Sequence, residues 1–199
     1  PLALDLNLLA SGIPFRFKRE NQARLGVMPR NGSADDIRWF EIDPCYVFHQ
    51  VNAWEQGNVI TLFVSKQNSA FGADSGDFSE VSRLHRWQID LATGQVTEDK
   101  VDDRPGDFGR VNDHFVGQQS QFGYLMALDG EGNSEEPSYG PKLYQYDLIS
   151  GHCNEHFLGR GTRGAEPVYA AVPSSKAEND GWVMCLVHNE HNNKSKLVI

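Results

Sequence analysis

The chain has 199 residues, enough for one domain with a sizeable core or for part of a larger one. Lys and Arg total 18 against 27 Asp and Glu, and the net charge of -9 leaves no basic footprint for nucleic acid or an anionic membrane surface. No apolar stretch approaches the roughly 20 residues that span a bilayer, and Cys45, Cys153 and Cys185 form no CxxC pair, which argues for a reducing compartment, the cytoplasm by default, and against a disulfide scaffold or zinc ribbon.

The chain opens at Pro1 on an apolar run (Leu2, Leu4, Leu6, Leu8, Leu9) with neither an initiator Met nor a signal-peptide pattern. It stops at Leu197-Val198-Ile199, which has the character of a strand cut before its turn, so both ends are expected to be those of a slice. Between them, runs rich in Val, Ile, Phe, Tyr and Trp predict strands over 25–28, 39–42, 59–64, 84–90, 122–127, 143–147 and 182–187. Turn clusters punctuate them: Pro29-Arg30-Asn31-Gly32, Ala92-Thr93-Gly94 and Asp129-Gly130-Glu131-Gly132-Asn133. Helical periodicity is hard to find and no linker interrupts the chain. The expectation is an all-β chain, with 1–199 forming part of a single domain without an internal boundary.

A weak repeat narrows the architecture. Trp87-Gln88-Ile89-Asp90-Leu91-Ala92-Thr93-Gly94 and Tyr144-Gln145-Tyr146-Asp147-Leu148-Ile149-Ser150-Gly151 share a strand, Asp-Leu and a small-residue turn closed by Gly, with Asp90 and Asp147 57 residues apart. A strand-like run follows each, over 95–101 and 153–158, as in the outer hairpin of a β-propeller blade. Three polar residues recur at one phase of this repeat: His49, Asp107 and Glu166, spaced by 58 and 59 residues. Each is expected just before the inner strands of its blade, so one imidazole and two carboxylates would meet near the propeller axis.

Several segments resemble the carotenoid oxygenase family, which includes carotenoid and apocarotenoid cleavage enzymes, bacterial stilbene-cleaving dioxygenases and the visual-cycle retinoid isomerase. They run in order through the chain: Gly26-Val27-Met28-Pro29-Arg30, Arg38-Trp39-Phe40, Phe48-His49-Gln50-Val51-Asn52-Ala53, Leu84-His85-Arg86-Trp87, Asp102-Asp103-Arg104-Pro105, Asp107-Phe108-Gly109-Arg110-Val111-Asn112, Glu166-Pro167-Val168 and Asp180-Gly181-Trp182-Val183. The resemblance implies a seven-bladed propeller, of which this chain would cover roughly three to four blades. It implies one Fe2+ held by four axial histidines, with glutamates hydrogen-bonded to three of them.

By that resemblance His49 is one iron ligand, and Glu166 and Asp107 are carboxylates behind the ligands, fixing an imidazole's tautomer and direction. The other three ligands would lie outside this chain, and Glu166 would serve one of them. Asp107 departs from the family's Glu, and Gly109 from its Pro. A shorter carboxylate on a looser backbone puts direct contact with His49 in question, with a bridging water as the alternative. The implied partners are an apolar polyene or stilbene and O2, with peripheral membrane contact in the parent left open and no obligate protein partner inferred.

Other residues take plainer expectations. His85, His114, His152, His156, His188 and His191 are expected at solvated hairpin positions, and Trp39, Trp87, Trp182 and Tyr146 in blade packing. Two other functions compete: a Ca2+-dependent propeller hydrolase with Glu166, Asp107 and Asn52 as ligands, and a non-catalytic propeller serving as a binding module.

Overall fold

The computed structural model describes residues 1–10, 13–70, 80–129 and 138–199. Most of the turn cluster at 129–133 lies outside them. Among the described residues the regular structure is strand, apart from three single 3-10 turns at Leu6–Leu8, Ala34–Asp36 and Asp113–Phe115. Two hairpins come first: Leu2–Leu4 (β1) with Phe15–Phe17 (β2), and Ala23–Val27 (β3) with Arg38–Ile42 (β4).

An antiparallel meander follows, made of Tyr46–Gln56 (β5), Val59–Gln67 (β6), Arg83–Asp90 (β7), Val96–Arg110 (β8), Phe122–Asp129 (β9), Ser138–Asp147 (β10) and Cys153–Phe157 (β11). The long strand β8 serves twice. Its first half pairs with β7, from Val96 opposite Ile89 to Lys100 opposite His85, and its last residues pair with β9, from Gly106 opposite Ala127 to Arg110 opposite Tyr124. The meander is therefore two four-stranded blades, β5 to β8 and β8 to β11. A third unit places Thr162–Gly164 (β12) and Val168–Ala171 (β13) along one edge of Gly181–Asn189 (β14), with Lys194–Val198 (β15) on the other. The described sheets do not close into a ring.

Period-2 side-chain alternation stacks these units. On β6 Phe63 joins a core with Val51, Leu84, Leu125 and Tyr146 between the first two blades, while its neighbour Val64 packs with Cys45 and Trp87 under Leu25 and Ile42 of the β3–β4 hairpin. On β9 Leu125 faces the first core and Met126 the next, with Leu143, Leu158, Cys185 and Val187. β6 and β9 are covered on both faces, which is why they were readable as apolar runs. Trp87 and Tyr146 are buried as expected, whereas Trp39 and Trp182 are half exposed. The Arg24 guanidinium covers the Trp39 ring at 4.0 Å.

The repeat seen in sequence is a repeat of turn chemistry. The Asp90 carboxylate accepts from the Ala92 and Thr93 amides, and that of Asp147 from Ile149 and Ser150, all between 2.8 and 3.1 Å. Each turn closes on a glycine of positive φ, +79° at Gly94 and +75° at Gly151, where a side chain would be strained. These tight turns lie at one end of the blades. The last residues of β6 and β9 lie at the other end, where His49 pairs with Ser65 and Asp107 with Met126.

Candidate functional site

All three innermost strands are bulged where the candidate residues fall. On β5, Val47 pairs with Lys66 and His49 with Ser65, so Phe48 is extra; Gln50 pairs with Val64 and Asn52 with Phe63, so Val51 is extra. On β8, Asp107 opposes Met126 and Arg110 opposes Tyr124, leaving Phe108 and Gly109 against Leu125 alone. Between β12 and β13, Gly164 opposes Val187 and Val168 opposes Met184, so Ala165, Glu166 and Pro167 span two partner residues. A bulge kinks its strand and re-aims the side chains beside it. His49 and Asp107 thus lie within the inner strands and not before them, and Glu166 lies in the break of the third.

His49 and Asp107 meet directly. The His49 Nδ1 and Asp107 Oδ1 atoms are 3.1 Å apart, and the same oxygen accepts the Phe108 backbone N–H at 2.7 Å. The Asp107 side chain is 8% exposed and that of His49 40%. Phe108 is in the left-handed region at φ 57°, which costs an L-residue roughly 1–2 kcal/mol. Hydrogen bonds to an ionised carboxylate return about 1.5–3 kcal/mol each, so the two bonds at Oδ1 outweigh that strain. The Phe108 ring lies 4.6 Å from the imidazole and packs on Tyr139 at 5.3 Å.

The expected bridging water is therefore unnecessary, and Gly109 does not loosen the backbone as its replacement of Pro suggested. It is packed against β5: a Cβ there would overlap Val51 Cγ2 and stand 3.0 Å from Val51 Cβ and 3.2 Å from its Cα.

Glu166 is not beside His49. Its Oε1 pairs with the Arg110 guanidinium, joining the second and third inner strands. Asn52 is occupied structurally: its Nδ2 lies 3.0 Å from the Phe115 and Gln118 carbonyls and Ser120 Oγ, and its Oδ1 accepts from the Gly117 amide at 3.0 Å. With Asn52, Asp107 and Glu166 committed to separate partners, the calcium ligand set expected for a hydrolase does not assemble. His85 departs from the solvated position expected of it. Its Nδ1 lies 2.7 Å from Glu98, which also binds Lys66 and the Trp87 indole at 2.9 Å.

Among the described residues no group of three or more His, Cys, Asp or Glu side chains is placed to hold a metal. His49 has the arrangement of a single ligand: Asp107 engages Nδ1, and Nε2 has no hydrogen-bond partner among the described residues. In the Nδ1–H tautomer the ring's lone pair is on Nε2, available for coordination. The imidazole borders a pocket of about 440 Å³ whose walls include Phe48, Phe108, Leu128 and Tyr139. Ile13 and Val81 add to these walls, and Gln67, Glu80, Ser82 and Asp107 join His49 as its polar side, a mixed lining that suits a largely apolar ligand with polar contacts at one face.

A family model described as RPE65, retinal pigment epithelial membrane protein, matches residues 1–199. A carotenoid cleavage oxygenase of Mycobacterium tuberculosis is 35% identical over 179 residues, covering 86% of this chain and 36% of that protein. Among solved structures, a lignostilbene dioxygenase of Pseudomonas brassicacearum superposes with a TM-score of 0.85 at 25% identity, over 100% of this chain and 45% of its own. A cobalt-substituted Synechocystis ACO gives 0.82 at 25% identity, over 99% and 43%. The chain thus spans less than half the length of the proteins it matches.

Proposed function

This chain belongs to the RPE65, retinal pigment epithelial membrane protein, family, and from that premise we propose that the protein containing it is a non-haem Fe(II) dioxygenase acting on a carotenoid, apocarotenoid or stilbene. The reaction splits a conjugated carbon–carbon double bond with O2. Each alkene carbon takes one oxygen atom and becomes a carbonyl, so the balance closes without a further reductant.

The observation that carries this is the His49–Asp107 contact beside a pocket walled in part by Phe48, Phe108 and Tyr139. His49 is the metal ligand of this chain, and Asp107 holds its proton on Nδ1 so that Nε2 can coordinate. Glu166, paired here with Arg110, supplies a second carboxylate for an imidazole outside this chain, where the remaining ligands are assigned. When bound, Fe(II) among neutral imidazoles keeps its positive charge and open positions for O2 chemistry. Phe48, Phe108 and Tyr139 form the wall along which an apolar conjugated chain or ring lies, excluding water from the imidazole's surroundings.

The test is iron content and O2-dependent cleavage of a carotenoid and a hydroxystilbene by the full-length protein, wild type against His49→Ala. Loss of both iron and cleavage is the expected result. An alanine variant that keeps its iron and still cleaves would remove His49 from the site.

A further inference from the structure

We propose that Gly109 and Asp107 act as a matched pair: the missing side chain at Gly109 lets the innermost strands of neighbouring blades close up, so that a short carboxylate reaches His49. Two contacts join β5 and β8 here, and they are in step. Val51 follows His49 by two positions on β5, and Gly109 follows Asp107 by two on β8. The first pair of the four meets as Asp107 Oδ1 against His49 Nδ1 at 3.1 Å, the second as the Gly109 backbone against Val51. Val51 is itself the extra residue of a bulge, so the two irregular strands touch where each protrudes.

Gly109 is not required by its backbone, since its φ lies outside the left-handed range. Space is what excludes a side chain. The three nearest neighbours of a Cβ at this position all belong to Val51, two of them backbone-proximal atoms that no rotamer change removes. Carbon atoms settle at about 3.5–4.0 Å, so an Ala at 109 must push β8 away from β5 by about 1 Å. The His49–Asp107 separation of 3.1 Å would then pass beyond hydrogen-bond range. One methylene added at 107 spans about 1.5 Å, which matches the gap. Gly109 is thus a positioning residue for the imidazole, acting through the spacing of two strands.

The experiment uses the full-length protein with 15N-labelled histidine in metal-free form, and reads the His49 tautomer by NMR and, separately, the iron bound after reconstitution. Only the iron arm rests on the proposed metal role of His49. Gly109→Ala should lose the Nδ1–H preference of His49 and bind iron about 10- to 100-fold more weakly, the usual scale for a lost outer hydrogen bond. Adding Asp107→Glu should restore both.

An unchanged tautomer in Gly109→Ala overturns the pairing, and so does a double variant that fails to recover it. If Gly109→Ala does not accumulate, combining it with Val51→Gly removes the two nearest blocking atoms, Cγ2 and Cβ, and must return the Nδ1–H form. A tautomer that follows this pattern while iron does not would uphold the pairing and overturn the metal role of His49.

Discussion

His49 Nδ1 and Asp107 Oδ1 stand 3.1 Å apart although 58 residues separate them. The contact joins the innermost strands of two blades, and the acceptor oxygen is fixed by a second donor, the Phe108 amide. Asp107→Asn keeps an oxygen for both donors but loses the charge, so iron affinity should fall about tenfold; Asp107→Ala removes the acceptor and should cost about 100-fold. Anaerobic equilibrium dialysis against Fe(II) measures both, and equal affinities in the three proteins would contradict the assignment.

Phe108 allows a test of its own backbone. Within an ordinary strand Gly is less stable than Ala by roughly 0.5–1 kcal/mol, because it loses more freedom on folding. At φ 57° the order should invert, with Phe108→Gly more stable than Phe108→Ala by about 1 kcal/mol in urea denaturation. The reverse order would mean that the left-handed turn relaxes once the ring is gone.

Asn52 anchors the segment from Phe115 to Ser120 through both ends of its amide. Asn52→Asp retains the acceptor for Gly117 but sets a carboxylate oxygen against two carbonyls, deep in the fold. The loss should be about 2–4 kcal/mol. Hydrogen exchange at Gly117 and Gln118 should accelerate before the strands lose protection.

Acid should weaken the first blade in two steps. Burial, aided by the Lys66 charge, holds the His85 pKa below its ordinary 6.5 despite Glu98. As pH falls below 6.5 the unfolded chain therefore takes up this proton first, and stability is lost from there down to the folded value. Burial raises the Glu98 carboxyl, but hydrogen bonds from Lys66 and Trp87 carry it below 4.5, so its contribution is present above 4.5 and disappears as pH falls through the folded value. Urea midpoints taken from about pH 7.5 to about pH 3 should show both limbs, and His85→Gln should flatten the upper one while leaving the lower.

The sequence made some parts of this plain and hid others for identifiable reasons. Strands β6 and β9 were legible because blades cover both faces and leave apolar runs. β5 was not, since extra residues at Phe48 and Val51 twice reset the alternation that marks a strand. The phase shared by His49, Asp107 and Glu166 could be counted from the repeat. Which carboxylate touches the imidazole could not, because it depends on how near β8 comes to β5, and Gly109 looks flexible in sequence yet is a tight contact in space. Asn52 resembled a ligand because nothing local shows that its partners lie more than 60 residues on.

Because β8 ends one blade and begins the next, the periphery and the centre share one continuous main chain. At the rim, Asp102 accepts from Tyr146 and Arg104, and Arg104 reaches Glu155; a few residues on, the same strand carries Asp107. Damage at that rim needs no relay of side chains to be felt at the imidazole. Substitutions far from any ligand can present as defects of the site, and their position on the surface is no guide to their severity.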